Sequence, residues 1–178
     1  ASRTVSTGPG GVPGHQVILH TFWGGKVNRP LSMLLEAAWE QKHHQRIEIF
    51  TGNDCISLIL ADTISGNELV DLFTSIDILT MIRQRLEGSG FFGARFRECA
   101  GRALLITRRK INERMPLWMS RLHSQKLLDA VLPYGDFPIL LEAWRTCLND
   151  EFDLESLRKV LTELESGLIR WTETRTAF

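Results

Sequence analysis

Arg95, Arg102 and Arg109 recur every seven residues, close to two turns of an α-helix, so on a helix they form one stripe. Arg97 and Arg108 flank that stripe, and Lys110 follows it. A row of guanidinium groups on a rigid helix suits phosphates spaced along a nucleic-acid strand, because each planar fork can donate two N–H groups to one phosphate. Glu98, three residues after Arg95 and four before Arg102, is spaced to hold both side chains. Gly93, Ala94 and Gly101 leave room for a ligand or another backbone. The same spacing has a structural reading, in which the basic face pairs with Asp150, Glu151, Asp153 and Glu155 downstream. A second group, Trp23, Lys26, Asn28 and Arg29, lies in and beside a Gly-Gly turn. An aromatic flanked by basic groups suits an unpaired base and its backbone. The structural alternative is an apolar plug at the end of a strand.

Other chemistry is unsupported. Gly24-Gly25-Lys26 lacks the spaced glycines and the Ser/Thr after lysine that a phosphate-binding loop needs, and no acidic metal-binding box follows an apolar strand. His43 and His44 are adjacent, so on a helix they diverge and cannot chelate as an i, i+4 pair would. Glu36 and Glu40 share a helical face with no His or Cys to complete a metal set. No Gly-x-Ser-x-Gly elbow or motif pairing Cys with His is present, so the chain carries no signature of hydrolytic catalysis. Catalytic residues, metal ligands and a cofactor are therefore not expected in this chain.

The elements that would position these groups follow from hydrophobic period and turn residues. Residues 16–22 (QVILHTF), 46–50 (RIEIF) and 55–61 (CISLILA) read as strands. Pro30 suits the first turn of a helix over 30–43. Helices are predicted over 66–73, over 78–86 after a Thr74/Asp77 capping box, and over 91–109 after Gly88-Ser89-Gly90. In the last of these, Phe92, Phe96, Cys99, Ala103 and Ile106 form the core-facing stripe. Further helices are predicted over 117–132, over 137–149 capped by Asp136, and over 154–166 capped by Asp153 and closed by Gly167. Trp39, Trp118 and Trp144 sit at core spacing, and 168–174 (LIRWTET) alternates as a final strand returning to the sheet. The expected fold is α+β: a small sheet, β-α-β-β plus the C-terminal strand, packed on a helical bundle. Residues 1–15, rich in Gly, Pro, Ser and Thr, read as a flexible leader or linker, and 16–178 as one domain.

Composition agrees with a globular domain. The 178 residues are 43% hydrophobic and 24% charged, enough for one core. Net charge is zero, which excludes a polycation that binds by bulk charge. The distribution is uneven: six arginines and one lysine face two glutamates over 93–114, whereas 134–178 carry nine acids and five bases. No apolar stretch approaches the ~18 residues of a membrane span. The three cysteines, Cys55, Cys99 and Cys147, are far apart and odd in number, as expected of buried thiols in the reducing cytoplasm.

The run 90–105, GFFGARFRECAGRALL, resembles the Lhr, or large helicase-related, proteins of superfamily 2. The similarity continues through Arg108-Arg109-Lys110, Pro116-Leu117-Trp118, Tyr134 to Ile139, Glu142, Cys147-Leu148 and Glu173 to Thr176. Upstream it includes His20-Thr21-Phe22 and Arg29-Pro30, so it covers nearly everything after the leader. The resemblance implies a DEAD/DEAH-box helicase-associated domain without ATPase activity of its own. Two RecA-like motor domains and a winged helix would lie N-terminal to it. The parent would be an ATP-dependent 3′-to-5′ helicase acting in DNA repair on DNA or RNA:DNA duplexes, with ATP and Mg²⁺ bound in the motor. The accessory domain would help to bind and guide single-stranded DNA or RNA, with Trp23, Lys26, Asn28, Arg29, Arg95, Arg102, Arg109 and Lys110 as its contacts. The alternative is a scaffold that packs on the motor without touching nucleic acid. The family pattern also implies an aromatic after the proline, where this chain has Leu31.

Overall fold

The computed structural model describes residues 2–5, 14–74, 78–106 and 116–174. The fold is α+β, as the residue patterns predict, and the chain divides into two compact units, Ala1–Ile82 with Phe152–Phe178, and Arg83–Glu151.

The first unit is built on a four-stranded antiparallel sheet of order β1-β2-β4-β3. Its strands are β1 (Ser2–Val5), β2 (Gly14–His20), β3 (Glu48–Thr51) and β4 (Cys55–Leu60). β2 pairs with β4 from His15 opposite Leu60 to His20 opposite Cys55. β4 alternates as a half-covered strand should, burying Ile56, Leu58 and Leu60. Against this sheet unit lies α1 (Gly25–His43), whose Leu31, Leu34, Leu35 and Ala38 follow the i, i+3, i+4, i+7 rule and are all buried. Helices α2 (Gly66–Thr74) and α7 (Leu154–Glu165) pack on α1 and contribute Leu69, Leu72, Leu157 and Leu161 to the core. Removing each such leucine from water stabilises the unit by about 1.5–3 kcal/mol.

Three expectations for this unit are corrected. Ser2–Val5, within the stretch read as a leader, forms the edge strand β1 on β2; edge pairing uses backbone groups and needs little hydrophobic pattern. Residues 6–13 lie outside the described residues. The C-terminal segment 168–174 is irregular chain, not a strand. β2 already pairs on both sides, so no ladder there is open to it. The segment does return to this unit, with the Trp171 indole packed so closely against Gly66 that it leaves no room for a Cβ there, and with the Gly66 N–H donating to Glu173 at 3.1 Å. Finally, α1 starts at Gly25, which leaves Pro30 inside the helix. Proline has no N–H for the carbonyl four residues back. That carbonyl belongs to Lys26, and it accepts the Asp153 N–H at 3.1 Å.

The second unit holds the end of α3 (Ile78–Glu87), α4 (Gly90–Arg102), α5 (Leu117–Val131), α6 (Pro138–Arg145) and a π-helical turn, Thr146–Glu151. The Thr74/Asp77 capping box lies outside the described side chains. Phe92, Phe96 and Cys99 of α4 are buried with Leu86, Leu128, Leu140, Ala143 and Cys147, and the Phe92 and Trp144 rings meet at 4.8 Å. Ser89 caps α4 by accepting the Phe92 N–H. Helix α6 lacks the Asp136 cap; Phe137 occupies the cap position with no side-chain bond. Trp118, expected in the core, is 64% exposed, whereas Trp39 and Trp144 are buried.

Helix α4 ends at Arg102, seven residues short of the expected end. The Leu105 N–H donates to the Ala100 carbonyl, the Leu104 N–H to Gly101, and Leu104 adopts φ +57°. These are the paired bonds and left-handed residue of a Schellman stop. Leucine stands where glycine usually signals it, so the sequence gives no warning. Ala103, assigned to the core stripe, is consequently exposed.

Candidate nucleic-acid interface

The turn between β2 and α1 is held from beneath by Asn28. This side chain is fully buried; its Oδ1 accepts the Thr21 hydroxyl at 2.8 Å, and its Nδ2 donates to the carbonyls of Gly52 and Asn53 at 3.0 and 2.9 Å. The backbone adds three bonds: Thr21 N–H and Phe22 N–H to the Asp54 carbonyl, and Gly24 N–H to the Asn53 carbonyl. Gly24 takes φ +83°, a conformation open to glycine. The turn is thus riveted to the β3–β4 hairpin. Asn28, proposed from sequence as a contact, is corrected to a structural amide, since its donors and its oxygen are all engaged inside the protein.

Around that anchor the other candidates separate. Lys26 is exposed on the first turn of α1 and Arg29 is half-buried one turn on. Helix α1 has no acidic residue in its first turn and no side-chain cap, so its positive end is not offset from within that turn. Trp23 is half-buried and lines a cavity of about 430 Å³ with Leu31, Leu69 and Trp171. That placement matches the plug more than the platform. Leu31 is 1% exposed, so this position is core. Sequence reasoning passed over Phe22, which is 74% exposed at φ +55°. Its sequence signals were its place in the His20-Thr21-Phe22 run of the family resemblance and an aromatic ring immediately before Trp23 and the two glycines.

In the second unit, Arg95 is already committed. Its guanidinium meets Glu98 at 2.9 Å and Glu151 at 2.7 Å and lies 5.5 Å from the centre of the Phe91 ring. Part of the structural alternative is realised here, because Glu151 is one of the acids it named. Glu98 pairs with Arg95, while Arg102 instead donates to the Cys99 sulfur at 3.3 Å. Arg102 stands exposed at the end of α4, and that sulfur contact raises its pKa further. Arg109 and Lys110 lie outside the described residues. Buried Cys147 has its thiol pushed up to about 12 by desolvation, opposed by Arg95. All three cysteines are free thiols. Among the described residues, no group of three or more His, Cys, Asp or Glu side chains could hold a metal ion. His43 stacks on Trp39 at 4.1 Å, and His44 ends α1 in the left-handed conformation. No helix among the described residues is long and apolar enough to cross a membrane.

The model of the DEAD/H associated family matches residues 10–177. The chain belongs to that family. This DEAD/H-associated domain is 33% identical over 165 residues to the Lhr helicase/uracil glycosylase of Escherichia coli (strain K12), a match covering 90% of this chain and 11% of that protein. It is 26% identical over 152 residues to the ATP-dependent helicase Lhr-Core of Methanothermobacter thermautotrophicus (strain ATCC 29096 / DSM 1053 / JCM 10044 / NBRC 100330 / Delta H), covering 85% and 18%. Among solved structures it resembles the Mycobacterium smegmatis helicase Lhr bound to ssDNA and AMP-PNP, with TM-score 0.76 and 33% identity over 86% of this chain and 20% of that one. The domain therefore spans about a tenth to a fifth of the length of these relatives.

Proposed function

We propose that this DEAD/H-associated domain forms one wall of the single-strand path of an Lhr-type, ATP-dependent 3′-to-5′ helicase, binding and guiding DNA or RNA while the motor hydrolyses ATP elsewhere in the polypeptide. The likeness to an Lhr helicase bound to ssDNA carries this reading. RecA-like and winged-helix domains of the same polypeptide would be the domain's partners, and ATP and Mg²⁺ would sit between the motor domains. The free thiols, two of them buried, suit a cytoplasmic enzyme. Arg102 is the main phosphate contact proposed on α4, with Arg109 and Lys110 continuing beyond it; Lys26 and Arg29 serve the turn. Such contacts grip the backbone without regard to sequence.

The scaffold reading keeps one specific support, the Arg95 pairing with Glu98 and Glu151. Charge reversal separates the two. In the full-length polypeptide, Arg102→Glu should weaken binding to a single-stranded oligonucleotide and leave the melting temperature unchanged. Arg95→Glu should lower the melting temperature, because it sets three carboxylates together. If Arg102→Glu and Lys26→Glu both bind like wild type, the domain is a scaffold.

A further inference from the structure

Phe22 is held in a conformation that bulky L side chains rarely adopt, φ +55°, and its ring is 74% exposed. Neither property aids folding: glycine would relieve the backbone, and a polar residue would suit the water. The conformation is nevertheless fixed at several points. The Thr21 and Phe22 N–H groups converge on the Asp54 carbonyl at 2.9 and 3.2 Å, and the Gly24 N–H reaches the Asn53 carbonyl at 3.0 Å. Asn28 ties Thr21 to Gly52 and Asn53 beneath. The His20 ring lies nearly parallel to the Phe22 ring, 6.2 Å away with 23° between planes, which limits its rotation on one side. Strain maintained by this many bonds, on an exposed aromatic, marks a side chain presented to something outside the chain.

We infer that Phe22 is a stacking platform for an unpaired nucleobase. The inference rests on the proposal that this domain contacts single-stranded nucleic acid, and it names the side chain that would receive a base. A flat ring backed by a second ring offers a π-face to any base, without sequence preference. Exposed Lys26, at the start of α1, supplies a cation for the adjoining phosphate. Trp23, the neighbouring aromatic, is half-buried and lines the cavity, so Phe22 takes the role that sequence alone would give to Trp23.

The test uses the full-length polypeptide with Phe22→Leu, Phe22→Gly and Phe22→Trp, and a dT oligonucleotide carrying 2-aminopurine at successive positions. Wild type and Phe22→Trp should bind and quench the probe at one position. Phe22→Leu and Phe22→Gly should bind roughly 5- to 150-fold more weakly, the range for loss of one stacked base, and lose that quench. Phe22→Gly should melt at or above the wild-type temperature, because glycine accepts the left-handed backbone. A platform whose loss weakens binding while the fold gains stability cannot be structural. If Phe22→Leu and Phe22→Gly bind and quench like wild type, the inference falls alone. If wild type itself fails to bind the oligonucleotide, this inference and the proposed function fall together.

Discussion

Replacing Asn28 by alanine removes one acceptor and two donor bonds from a fully buried amide. The Asn53 carbonyl keeps the Gly24 N–H, but the Gly52 carbonyl and the Thr21 hydroxyl lose a partner. At about 0.5–1.5 kcal/mol for each of the three bonds, the loss should total about 1.5–4.5 kcal/mol, to which the groups left unsatisfied add a further penalty. Asn28→Asp is the sharper variant. Its second oxygen would face two carbonyls that now receive N–H groups, so burial and lost donors would raise its folded-state pKa. The sign follows: with the folded pKa above the unfolded ~3.9, destabilisation grows as pH rises through that value and diminishes below it. Urea unfolding followed by circular dichroism at pH 7 and at pH 4 gives both quantities. An Asn28→Ala protein within about 0.5 kcal/mol of wild type, yet deficient in binding single strands, would refute the structural role and restore Asn28 as a contact.

Three further outcomes follow from other parts of the fold. Gly66→Ala places a Cβ against the Trp171 indole and should displace the C-terminal segment at a cost of about 1–3 kcal/mol, visible as red-shifted tryptophan emission and faster proteolysis after residue 165; an unchanged spectrum would contradict the contact. Asp153 accepts both the N–H and the hydroxyl of Ser156, and those bonds, aided by Lys26, hold its carboxyl below the usual aspartate range. Its contribution is therefore present above the unfolded aspartate pKa and is lost as pH falls through the depressed folded value, so Asp153→Asn should flatten the acid limb of the stability curve. At pH 8 a thiol at about 12 is ionised to only on the order of 10⁻⁴, so Cys147 should label with thiol reagents only as its unit opens, well after half-exposed Cys55. Immediate labelling of Cys147 would show its burial to be wrong.

What could be read from residues alone was mostly local. The strand Cys55–Leu60 and the Asp153 cap each announce themselves through residue type or side-chain chemistry, and both stand in the structure. The early stop of α4 did not, because Leu104 occupies a left-handed position that usually selects glycine. The early start of α1 was hidden by Pro30, whose cost is offset by the Asp153 N–H from far along the chain. The same limit governs the site. Residue type placed Asn28 beside Lys26 and Arg29 as a polar contact, but only the tertiary structure shows its amide turned into the protein. Arg95 and Arg102 look equivalent seven residues apart, yet Glu151 neutralises one and the sulfur of Cys99 steadies the other. Phe22 carries no spacing signal, because exposure and a positive φ are properties of the fold.

The central claim is that this domain touches the phosphates of a single strand. Its most direct test is the salt dependence of single-strand binding by the full-length polypeptide, wild type against Lys26→Ala/Arg102→Ala. Each phosphate contact removed should lower the slope of log K against log salt by about 0.7, so the double variant should be shallower by about 1.4. An unchanged slope, with affinity intact, would mean that neither side chain meets the strand and that the domain serves the helicase only as a scaffold.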